Sequence, residues 1–149
     1  MMTVTADSTA RTDTQTAPQH HAELRGALRE IATLGSIGGL LGWDQETFMP
    51  PGGAESRGEQ AALVAGLVHE RATSERLGAL IAACESDGEL TVDDRIAAEL
   101  REVRRDFDLA TRLPGDLVRE LAQTGTRAQH VWKEAREKRD FSIFQPWLA

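Results

Sequence analysis

Only one cysteine, Cys84, occurs in the chain, so no internal disulfide and no cysteine cluster for zinc can form. Its neighbours Leu80 and Ile81 predict a small buried thiol, and such cysteine usage fits a reducing cytoplasm. Tyrosine is absent and aromatics make up 5% of the residues, which leaves any core to aliphatic side chains. No run approaches the roughly 18 to 20 consecutive apolar residues that span a bilayer, and the N-terminus lacks the apolar centre of a signal peptide. Basic charge is also scarce. With 17 Lys and Arg against 24 Asp and Glu, the net charge of −7 disfavours adhesion to nucleic acid or to an anionic membrane, both of which select a basic surface. Alternating strand-like patterns do not persist anywhere, and no repeat of fixed period stands out.

What remains points to helices. The 149 residues are 40% hydrophobic and 28% charged, enough for one domain, which at this size buries about 68–70% of its unfolded surface. Ala, Leu, Glu and Arg abound, all good helix formers. Positions 1–20 are rich in Thr, Ser, Asp and Gln and carry too little apolar surface to offset ordering entropy, so they are expected to be a disordered tail. Residues 21–149 are expected to form an all-α, antiparallel bundle of about five helices.

From about His21 to Trp43, Leu24, Leu28, Ile31, Leu34 and Leu41 recur at helical spacing. Gly35, Gly38, Gly39 and Gly42 weaken this helix by about 1 kcal/mol each relative to alanine. They imply close helix packing or a bend, with a ligand passing over bare backbone as the alternative. A second helix runs from about Ala54 to Arg71 on Ala61, Leu63, Val64, Leu67 and Val68. A third starts at Thr73 or Ser74, buries Leu77, Leu80, Ile81 and Cys84, and ends where Gly88 can supply a left-handed cap. Thr91 caps a fourth, whose stripe is Ile96, Leu100, Val103 and Phe107. Its arginines at 101, 104 and 105 are interleaved with carboxylates and read as a solvated face. Pro114 opens a fifth helix carrying Leu117, Val118, Leu121, Ala128, Trp132 and Ala135. The last stretch prepares another helix, and Phe141, Phe144, Trp147 and Leu148 have no following segment to shelter them, so the expectation is of a chain cut short.

The most unusual chemistry lies between Trp43 and Gln60. Trp43, expected as a buried anchor, precedes Asp44, Glu46, Thr47 and Met49; Pro50 and Pro51 stop the helix; Gly52 and Gly53 permit a sharp change of direction. Asp44 and Glu46 read as carboxylates pinned to the turn, with Arg57 the near cation. As a pair they could alternatively divide acid and base roles in contact with substrate. Ser56 has no evident base, and Gly52-Gly53 lacks the strand and lysine of a phosphate loop.

This stretch, Trp43-Asp44-x-Glu46-Thr47-x-Met49-Pro50-x-Gly52-Gly53, resembles the N-terminal signature of the thermostable, Taq-type zinc metallocarboxypeptidases. The resemblance extends through Arg57 and Gln60, Leu113-Pro114, the run Thr126-Arg127-Ala128-Gln129-His130-x-Trp132, and Asp140-Phe141-Ser142, covering roughly Ala22 to Leu148. It implies the N-terminal part of a larger all-α enzyme, commonly dimeric, that removes C-terminal amino acids from peptides with zinc or cobalt. It further implies that the N-terminal helices cover one side of a substrate groove, which makes Trp43, Asp44, Glu46, Thr47, Met49, Arg57 and Gln60 framework or groove-lining candidates.

The catalytic elements of that family are His-Pro-Phe, Asp-x-Arg-x-Thr, His-Glu-x-x-His and a downstream glutamate, and none occurs here. The nearest approach, His69-Glu70-Arg71-Ala72-Thr73, has threonine where the second imidazole must stand four residues on, so His69 reads as an ordinary helix residue. His20 and His21 lie beside the tail, and His130 stands apart. The expectation is therefore no catalytic residue, metal ligand or cofactor in this chain, and inactivity alone. Its partners would be a missing C-terminal catalytic segment or a second copy, with peptide substrate only in the full-length enzyme. The alternative is a stand-alone helical interaction or regulatory module.

Overall fold

The computed structural model describes residues 17–148; positions 1–16 of the expected tail lie outside them, whereas 17–20 already belong to the first helix. Six α-helical segments follow in order: α1 Ala17–Thr47, α2 Ala54–Ala72, α3 Glu75–Glu85, the single turn α4 Gly88–Thr91, α5 Asp94–Ala110 and α6 Gly115–Lys138. Short 3-10 turns occupy Pro51–Gly53, Phe141–Ile143 and Gln145–Leu148. No strand occurs among the described residues, and the five longer helices are those the apolar periodicity predicts.

Their pairing is antiparallel. Leu41 meets Arg57, Gly38 meets Val64 and Glu30 meets Arg71, so α2 runs back along α1. In the same sense Glu55 meets Arg127, Gly66 meets Arg119 and Gly115 meets His69, which lays α6 back along α2. Gly78 against Phe107 and Glu85 against Arg104 return α5 along α3. Helix α1 is long enough to serve both halves: it packs on α3 and α4 as well as on α2, and His21 in its first turns faces Glu99 of α5.

The two halves are built differently. The first is an aliphatic core in which Leu24, Leu77, Leu80, Ile81, Cys84, Leu90 and Leu100 are buried, with Leu28, Ile31, Val103 and Phe107 packed around them. Burial pushes the Cys84 thiol up. The second relies on close approach. A Cβ added at Gly66 would stand 2.6 Å from Arg119 Nε, so the missing side chain is what lets the α6 arginine lie flat across α2. Gly58 is buried beside Gln123 and Arg127 in the same way.

Three helix ends depart from expectation. Gly88 is not a left-handed cap, and no glycine among the described residues has positive φ. Instead the Asp87 carboxylate accepts the backbone N–H groups of Glu89 and Leu90 and starts α4. Thr91 is consumed by that turn, and the cap of α5 is Asp93, which accepts from Arg95 at 2.8 Å and from Ile96 at 3.4 Å. A carboxylate nearer the helix outcompetes the hydroxyl because it is the stronger acceptor at the positive end of the dipole. Pro114 is the N-cap of α6 rather than its first residue. At the far end of α6, Arg139 takes a left-handed conformation, φ 52°, and turns the chain so that the Phe144 ring meets Trp132 edge-on at 5.1 Å. No long helix follows Asp140. Phe141 and Leu148 stay exposed, while Phe144 and Trp147 are partly covered.

Two outcomes follow from this packing. Ile81 is fully buried and Val92 is 84% exposed, so in denaturant melts Ile81→Ala is expected to cost about 2 to 5 kcal/mol and Val92→Ala less than about 0.5 kcal/mol. Asp140 accepts the Ser142 hydroxyl at 2.6 Å and the Ser142 backbone N–H at 3.0 Å, which hold its carboxyl below its ordinary value. A depressed folded-state value means that this support is complete above the unfolded aspartate range and is lost as pH falls through the folded value. The Trp132 indole resonance should therefore move on acidification in that window, and Asp140→Asn should abolish the step.

Candidate functional site

The end of α1 is organised by one guanidinium. Arg57 in the first turn of α2 donates to the Asp44 carboxylate, to the Leu41 carbonyl at 2.5 Å, and to Gln60 Oε1 at 3.1 Å. Its side chain is 13% exposed, so these bonds are partly shielded from water and correspondingly stronger. The Leu41 carbonyl lies in the penultimate turns of α1, and Arg57 of α2 adds a donor to it from outside the helix. The Asp44 carbonyl accepts from both Phe48 and Met49 at 2.9 Å, closing the helix before Pro50. Met49 folds over Gly53, where a Cβ would come within 2.9 Å of the Met49 Cγ.

Beyond this clasp lies a cleft of about 390 Å³ between the end of α1 and the later turns of α6, lined by Glu46, Thr47, Met49, His130, Lys133 and Glu137 among others. Glu46 pairs with Lys133 at 2.8 Å and accepts a hydrogen bond from Gln129. Lys138 donates to Glu134 at 2.6 Å, and that hydrogen bond holds the Glu134 carboxyl below its ordinary value. Glu46 and Glu134 are each paired with a lysine. For Glu134 the direction is the opposite of what general acid catalysis by a carboxyl at neutral pH needs, a value pushed up by burial or by a second carboxylate.

The seven candidates from the sequence fall into three groups. Asp44, Arg57 and Gln60 form the clasp; Glu46, Thr47 and Met49 line the cleft; Trp43 belongs to neither. The expected buried anchor is 55% exposed and touches Phe48 edge-on at 5.5 Å, because its position on α1 faces away from both α2 and α6. The inward position is Gln45, 8% exposed, whose amide donates to the Thr126 carbonyl at 3.1 Å and to Gln129 Oε1 at 3.3 Å. Sequence reasoning passed over Gln45, although it shares a helix face with Leu41 and Gly38 at spacings of four and seven. Gln129 and Lys133 were also missed as site residues; nothing local in α6 marks them as partners of Glu46.

Residues 23–149 match the model of the carboxypeptidase Taq (M32) metallopeptidase family. The chain belongs to that family. Over 123 residues it is 39% identical to thermostable carboxypeptidase 1 of Thermus thermophilus, a match covering 80% of this chain and 24% of the relative. A Pyrococcus furiosus enzyme of the same name is 31% identical over 120 residues with the same coverage, and carboxypeptidase 1 of Bacillus subtilis is 28% identical over 130 residues. Among solved structures, BsuCP superposes with a TM-score of 0.81 at 23% identity and CHT with 0.63 at 32%; each match covers 87% of this chain and 26% of the other. The chain thus spans about a quarter of the length of the M32 proteins it matches.

Membership of a metallopeptidase family implies a bound metal, and the donors present here do not supply its site. His69 packs against Gly115 of α6. Thr73 returns its hydroxyl to the His69 carbonyl at 2.8 Å, and Glu70 is engaged by Arg71 at 3.3 Å. Among the described residues no group of three or more His, Cys, Asp or Glu side chains could hold a metal ion. Nor is any helix among them long and apolar enough to cross a membrane.

The clasp makes a quantitative demand. Arg57→Leu strands the Asp44 carboxylate in a partly buried setting and should cost about 1 to 3 kcal/mol. The exposed Arg105, paired with Glu102 and Asp106, should lose less than about 1 kcal/mol on substitution by alanine. Equal losses in urea melts of the two variants would show that the clasp does not hold the turn.

Proposed function

We propose that this chain is the framework and groove-wall quarter of a metal-dependent carboxypeptidase of the M32 type, a class that releases C-terminal amino acids from peptides, and that it is not catalytic by itself. The observation that carries this reading is the state of the signature carboxylates. Asp44 is spent on Arg57, and Glu46 on Lys133 and Gln129, so the conspicuous Trp43–Gln60 stretch works as a brace joining α1, α2 and α6. The names of the relatives, thermostable carboxypeptidase 1 and carboxypeptidase 1, support the activity, and the missing His-Glu-x-x-His supports a metal site, zinc or cobalt, outside this quarter. The cleft beside Glu46 and Met49 would then form part of the wall past which a peptide chain lies. The lone thiol of Cys84, buried in the core, suits a cytoplasmic enzyme.

The test is direct. Purified chain incubated with N-blocked dipeptides and added zinc or cobalt is expected to release no C-terminal amino acid, while the Thermus relative does so under the same conditions. Release that co-elutes with the chain on gel filtration and survives the exclusion of a contaminating peptidase would overturn the reading.

A further inference from the structure

We draw no further inference here: the strongest candidate, the exposed apolar line of Leu117, Leu121 and Trp132 along α6, is an unpartnered helix face, and nothing in the structure shows what covers it.

Discussion

The Arg57 guanidinium is the hinge pin of this quarter-length chain. It binds a carbonyl near the end of α1, a carboxylate in the last turns of α1 and an amide one turn along α2, so the direction in which α2 leaves the turn is fixed relative to α1. Helix α6 then has to follow α2, because Gly58 and Gly66 open lanes for Arg127 and Arg119 and Glu55 draws Arg127 across the first turn. Without the clasp the glycine-lined approach has no defined partner.

The two halves of the bundle spend different physics on the same problem. Near the start of α1 the core is aliphatic and dry, stabilised by burial of leucine and isoleucine, and its registry is tolerant. Near the end of α1, order comes from directional bonds: Gln45 to the Thr126 carbonyl, Glu46 to Lys133, Asp44 to Arg57. Such bonds contribute modest net stability but are costly to leave unmade, so they select one arrangement of helices.

This quarter keeps a recognisable fold at 23% identity to BsuCP. The signature residues are occupied with each other. The Trp43 indole of the signature is exposed and rests against the Phe48 ring.

Much of the architecture was determined locally. Apolar spacing placed five helices, Pro50 and Pro51 placed the break between α1 and α2, and the charge sign of Asp44 and Arg57 placed their pairing, because each of these depends on residues close in sequence. The absence of a second histidine at position 73 was equally a matter of spacing. What only the tertiary structure decided is which face of α1 turns inward at its end: Gln45 is buried and Trp43 exposed, against the ordinary preference of the two side chains. That choice is made by Thr126, Gln129 and Lys133, some eighty positions away. A helix end offers several faces of similar hydrophobicity, and only the polar partners brought up by α6 break the tie.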